Sequence, residues 1–140
     1  MIRLRILLDT NVLISAGLKP FGPQAEVIDL VAGREIELCV SEALLKEYRD
    51  VFSRPKFARI PSTWVANLLA MIESEATKFT PIRQLTMSPH DSDNRFYECA
   101  DAAEADYIVT GNLKHFTKPH KKTKVINTRQ LLELLAEISG

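Results

Sequence analysis

The chain has 140 residues, the length of one domain spanning 1–140, since domains typically run to roughly 100–200 residues. With 46% hydrophobic and 26% charged residues it has ordinary globular composition, which excludes a disordered chain. A domain of this size buries about 70% of its unfolded surface and needs no disulfide or structural metal. Lys plus Arg equals Asp plus Glu, 18 against 18, so whole-molecule basicity is excluded and any nucleic-acid contact has to come from a local patch. Cys39 and Cys99 each sit in an apolar run without a CxxC spacing, and are expected as buried thiols. The longest apolar stretches fall well short of the roughly 20 residues that span a bilayer. The N-terminal segment carries Asp9 and Asn11 where a signal peptide would be apolar. It reads as a first strand, in a cytoplasmic protein with no membrane contact.

In chain order, Arg3 to Leu8 reads as a buried strand, with Ile6, Leu7 and Leu8 continuous. A short helical piece from about Val12 to Ala16 follows, stopped near Gly17 and Pro20. Gln24 to Ala32 forms the second helix, with Gly33 as its stop. Ile36 to Val40 is the second strand, after which Ser41 caps a third helix reaching about Phe52, before Pro55. Pro61 and Ser62 open a fourth helix carrying Trp64, Leu68, Met71, Ile72 and Glu75 at helical spacing.

A short strand is expected around Phe79 to Leu85, then a fifth helix over Asp93 to Glu104. Tyr107 to Val109 form a strand broken by Gly111, and Val125 with Ile126 form the last one. Asn127 with Gln130 resembles a capping box opening a final helix, whose Leu131, Leu134, Leu135 and Ile138 face one way. Strands alternating with helices imply right-handed crossovers. The expected fold is a three-layer α/β/α sandwich around a central, mainly parallel sheet.

Ligands in an open α/β sheet gather beyond the carboxyl ends of the strands. Asp9 follows the first strand directly, and Thr10 and Asn11 supply short polar groups able to orient its carboxylate. On the third helix, Leu44, Leu45, Tyr48, Val51 and Phe52 define the apolar stripe. Asp50 and Glu42 point away from it, whereas Glu47 lies at its border, able to lean toward the sheet edge. On the fifth helix Phe96, Cys99, Ala100 and Ala103 mark the inward face, and Glu98 and Asp101 fall on a solvated outer one. Asp93 lies in the first turn on the inward side, where Asp91 and Ser92 compete for the capping role. Thr110-Gly111-Asn112 brings a hydroxyl, a permissive backbone and an amide to the same edge.

Asp9, Glu47 and Asp93 can therefore converge with Asn112. Such a concentration of negative charge needs a cation or shared protons. An oxygen-only donor set favours Mg²⁺ or Mn²⁺ over zinc. His90, His115 and His120 lack ligand spacing and are expected in exposed loops.

The segments ILLDTNVLISAGL, SEALLKEYRDVFSRPKF and DSDNRFYECADAAEADYIVTGN together resemble the PIN-domain family of metal-dependent ribonucleases, which includes the toxin components of bacterial toxin–antitoxin pairs. The resemblance implies that Asp9, Glu47 and Asp93 are the acidic metal-site residues, supported by Thr10, Asn11, Ser15 and Thr110. Asn112 stands where many relatives place a fourth acid. The implied reaction is hydrolysis of an RNA phosphodiester with Mg²⁺ or Mn²⁺, and the implied partners are RNA, an antitoxin protein and a second copy of the chain, with the Trp64–Glu75 helix as contact face.

RNA needs local positive charge. Lys114, Lys118, Lys121, Lys122 and Lys124 supply it just beyond Asn112. A dehalogenase-like phosphatase would need a second acid at Asn11, and a receiver domain an acidic pair where Leu7 and Leu8 stand. The remaining alternative is a PIN-like module with an impaired metal site that binds RNA or a protein.

Overall fold

A computed structural model describes residues 3–139. In chain order the elements are β1 (Arg5–Leu8), α1 (Thr10–Leu18), α2 (Pro23–Ala32), β2 (Glu37–Val40), α3 (Glu42–Phe52), α4 (Ser62–Glu75), β3 (Thr77–Lys78), α5 (Asp91–Ala103), β4 (Tyr107–Val109), β5 (Lys124–Ile126) and α6 (Thr128–Ser139). A single 3-10 turn, Pro55–Phe57, joins α3 to α4.

The sheet runs β3-β2-β1-β4-β5 and every pairing is parallel. Parallel strands need crossovers, and the intervening helices cover both faces. α5 lies across β1, β2 and β4, while α2 packs against α1, α4 and α6. The fold is the expected three-layer sandwich. Strand order reverses between β1 and β4, so the topological switch point opens beyond Leu8 and Val109, which face each other in register.

The core follows from the apolar runs. Ile6, Leu7, Leu8, Ile108 and Val109 are at most 1% exposed, as expected of central parallel strands. Tyr48 is wholly buried on α3, and its hydroxyl donates to the Leu8 carbonyl at 2.6 Å. That bond fixes α3 over the end of β1. Both Cys39 and Cys99 are buried free thiols, their pKa pushed up to about 12 by burial.

Ser41 caps α3 through Leu44 N, and Asn127 and Gln130 exchange reciprocal hydrogen bonds of 2.8 Å at the start of α6.

α1 begins earlier than expected, at Thr10, and ends at Leu18, near Gly17 and Pro20 as expected. Gly17 is there for close approach, because a Cβ would lie 2.9 Å from both Ile60 and Trp64 side chains. The strand expected over 79–85 is instead the shorter and earlier β3. Phe79 N still donates to Val40 O at 2.8 Å, but Pro81 has no N–H to continue the ladder. The segment beyond it satisfies its backbone on α5, with Leu85 N donating to Glu98 and Ser88 N to Asn94. α5 begins at Asp91, two residues early, and ends at Ala103 with Glu104 in the left-handed region as its cap. Finally, Ile138 is 64% exposed, while Leu131 on the same helix is buried. Among the described residues no helix is long and apolar enough to cross a membrane.

Candidate metal centre

Asp9 leaves the end of β1 at the switch point, and its backbone N–H donates to the Val109 carbonyl at 2.8 Å. Its side chain is buried, and one carboxylate oxygen accepts from Thr110 Oγ1 at 2.8 Å. Burial raises the Asp9 pKa, Thr110 and His115 oppose that shift, and the Asp93 charge adds to it. Glu47 reaches the same place from the border of the α3 stripe and accepts from the hydroxyl of Thr10. Its pKa is also raised, first by burial and then by the charges of Asp9 and Asp93, against the Thr10 hydrogen bond. Asp93, in the first turn of α5, accepts from Ser88 Oγ at 3.1 Å. Asp9 and Glu47 therefore both feel the charge of Asp93, and each of the three acids is held by its own hydroxyl: Thr110 for Asp9, Thr10 for Glu47 and Ser88 for Asp93.

The neighbouring polar residues divide between orienting the acids and shaping the loop. Asn11 accepts from Gly111 N at 3.0 Å, tying the start of α1 to the end of β4. A Cβ on Gly111 would press on that same Asn11 oxygen at 3.3 Å. Thr110 also accepts from Asn112 N at 3.1 Å. Asn112 is exposed, and its side-chain oxygen accepts from Lys114 N at 3.1 Å, which closes a turn. Ser15 lies one helical turn beyond Asn11 and is half-buried. Glu42 and Asp50 are exposed, as their helical phase requires.

Two features escape a reading of periodicity. Ser88 comes from an irregular segment five residues before Asp93, and only the cluster Ser88-Pro89-His90-Asp91 hints at a turn there. His115 lies in an exposed loop, as expected, and its Nδ1 is 3.5 Å from the carboxylate of Asp9. His120 departs from that expectation. Its side chain is 12% exposed and its Nε2 lies 2.8 Å from Asp101.

Asp101 itself was expected on a solvated face. Instead it is clasped by Arg83 through two bonds of 2.7 and 3.0 Å, by His120 and by Lys121 at 3.0 Å. Glu98, expected beside it, is buried and accepts from Leu85 N and Arg95. Loops packed over the outer face of α5 explain both cases.

The five lysines expected beside Asn112 are likewise spread out. Lys122 lies 3.6 Å from Asp106, which precedes β4, and Lys124 pairs in register with Tyr107 at the start of that strand. These positions are at the amino ends of the strands, away from Asp9.

The donor set suits a hard cation. All three acids offer oxygen, and no cysteine or histidine pair competes. Among the described residues no three acidic, histidine or cysteine side chains close a metal cage by themselves. Asp9 and Asp93 are the residues that can hold such an ion, with Glu47 beside them.

Several known proteins are similar to this chain in sequence or in fold. An uncharacterized protein of Methanocaldococcus jannaschii is 26% identical over 113 residues, covering 79% of this chain and 72% of the relative. The fold is similar to that in the crystal structure of VapBC2 from Rickettsia felis bound to a DNA fragment from their promoter. The TM-score there is 0.61 at 18% identity, covering 89% of this chain and 98% of the other. A DNA-bound VapBC from Salmonella typhimurium gives a TM-score of 0.60 at 16% identity, with the same coverages. The family model described as PIN domain matches residues 5–114, which contain all three acids and their hydroxyl partners. With that match over well more than half its length, the chain belongs to the PIN domain family.

Proposed function

We propose that this protein is a ribonuclease that hydrolyses RNA phosphodiester bonds with Mg²⁺ or Mn²⁺ and acts in the cytoplasm as the toxin of a toxin–antitoxin pair. The observation that carries the reading is the coupling of Asp9, Glu47 and Asp93 at the β1/β4 switch point, each bonded to its own hydroxyl. Membership of the PIN domain family supports the activity, and the VapBC complexes of similar fold support an antitoxin partner. A homodimer through α4, whose Val65, Leu69 and Met71 are half-exposed, completes the proposal.

A bound Mg²⁺ or Mn²⁺ would supply an activated water and would neutralise charge growing on the phosphate. The chain's own residues prepare the place for it. Asp9 and Asp93 present oxygen donors, and Thr110 and Ser88 hold those carboxylates in place. Glu47, with its raised pKa and its fixed bond to Thr10, orients the attacking water and takes up its proton. Burial of Asp9 strengthens its hydrogen bond from Thr110 by excluding solvent.

One observation favours the alternative, a module that binds RNA or a protein with an impaired metal site. The Asn112 carboxamide adds no charge, and its oxygen is occupied by Lys114 N. Cleavage of a labelled RNA with and without Mn²⁺, by wild type and Asp9→Asn in parallel, separates the two. Cleavage by the wild type alone supports the nuclease. RNA binding without cleavage by either protein supports the impaired module.

A further inference from the structure

We infer that single-stranded RNA leaves the carboxylate site along a lysine-walled groove beside the edge strand β5, and this rests on the nuclease reading above. The groove is walled by Lys114, Lys118, Lys121 and Lys124, with Leu113 and Val125 in its floor, and encloses about 760 Å³. It runs the height of the sheet, from Lys114 at the carboxyl edge to Lys124 at the amino edge. At its upper end Lys114 is followed in the chain by His115, whose ring reaches Asp9.

The lysines of this groove are gathered on one path with few acid partners, whereas several cations elsewhere are spent on neighbouring acids: Arg34 on Glu75, Arg49 on Glu73, Lys78 on Glu42, Arg83 on Asp101 and Lys122 on Asp106. Within the groove only Lys121 is paired, with Asp101. None of the ion pairs among the described residues engages Lys114, Lys118 or Lys124. In a chain of zero net charge, three unpaired ammonium groups on one path, with no acid in the lining, make a localised anion track.

The path is rigidly built rather than a loose basic loop. Phe116 is buried with its ring 5.7 Å from that of Phe96 and 5.6 Å from that of Tyr97, and the Tyr97 hydroxyl donates to the Lys118 carbonyl at 2.6 Å. Leu113, 44% exposed, and Val125 offer apolar surface to unpaired base faces, whereas a duplex presents only its backbone there. Lysines spaced along a backbone with apolar contact between them match a single strand.

The test is fluorescence anisotropy of labelled oligouridylate in chelator, across a salt series, with wild type, Lys118→Gln/Lys124→Gln and the control Lys19→Gln/Lys56→Gln. Both substituted pairs are exposed, which preserves folding, and circular dichroism checks it. Each phosphate contact on a single strand contributes about 0.7 to the slope of log affinity against log salt, so the groove variant should lose about 1.4 and the control nothing. Equal losses in both variants, or a duplex RNA bound as tightly as the single strand, would overturn the inference. Adding Mn²⁺ separates it from the reading it rests on. A wild type that binds through the groove yet cuts nothing upholds the groove and removes the nuclease. A wild type that cuts while the groove variant keeps its full salt slope does the reverse.

Discussion

Thr110 Oγ1 donates to the carboxylate of Asp9 at 2.8 Å, joining the ends of two strands separated by 101 residues in sequence. The same hydroxyl accepts from Asn112 N, so one side chain orients the central acid and shapes the loop that carries the unpaired lysines. Replacing it with valine removes the donor while nearly keeping the shape. A hydrogen bond to a charged group contributes about 1.5–3 kcal/mol. Thr110→Val should therefore raise the Asp9 pKa further and weaken Mn²⁺ binding by roughly tenfold or more, read by calorimetric titration. Unchanged Mn²⁺ affinity would mean that the hydroxyl serves only the loop.

Asp9→Asn and Asp93→Asn should each abolish metal-dependent cleavage while the metal-free protein folds as well or slightly better, because one charge leaves a repulsive cluster. Glu42→Gln and Asp50→Asn, exposed on the same helix as Glu47, should cut at wild-type rates. RNA cleavage and thermal unfolding in chelator on all four variants check this, and full activity in both site variants removes the proposed centre.

Asn112→Asp keeps the oxygen that accepts from Lys114 N and adds a charged one at the edge. Mn²⁺ titrations should show a lower midpoint for the variant, with a lower melting temperature in chelator from the added repulsion. Superimposable titrations would assign Asn112 to the turn alone.

Two groups of acids pull stability in opposite directions with pH. The Asp9 and Glu47 pKa values are raised, so folding is favoured when these acids are protonated, and that contribution fades as pH rises through the ordinary carboxylate range and their raised values. Asp101 is held well below the usual range by its hydrogen bonds from Arg83 and then His120. Its contribution is present above the ordinary value and is lost as pH falls below it. The melting temperature of the metal-free protein should therefore rise from neutral pH into the acid range and drop below about pH 4, the ordinary carboxylate value. Asp9→Asn should flatten the rise, and Asp101→Asn should blunt the fall while lowering the plateau. Melting curves in chelator from neutral to acid pH decide it, and a monotonic wild-type profile would contradict the assignment.

Gly17→Ala tests close packing against helix propensity. Alanine is favoured in a helix by about 1 kcal/mol, but its Cβ would lie 2.9 Å from Ile60 and Trp64. Overpacking typically costs about 1–3 kcal/mol. Urea unfolding should show net destabilisation, and an equally or more stable variant would show that Ile60 and Trp64 yield freely.

The amino-acid sequence by itself determined the alternation of strands and helices and singled out three acids of the candidate site. An unbroken Ile6-Leu7-Leu8 run can only be buried on both faces, which makes the next residue, Asp9, an edge residue. Helical phase likewise separates Glu47 from Glu42 and Asp50. These are local properties of a periodic backbone.

The tertiary structure alone decided what covers the outer face of α5. Helical phase places Glu98 and Asp101 toward water, and it cannot register that Leu85, 13 residues before Glu98, and His120, 19 residues after Asp101, fold back over that face. Ser88 and His115 reach Asp93 and Asp9 by the same route, from irregular segments whose path no periodicity encodes. The physical reason is that a buried carboxylate recruits whatever donors the packed loops bring, and loop packing depends on contacts between residues far apart in sequence.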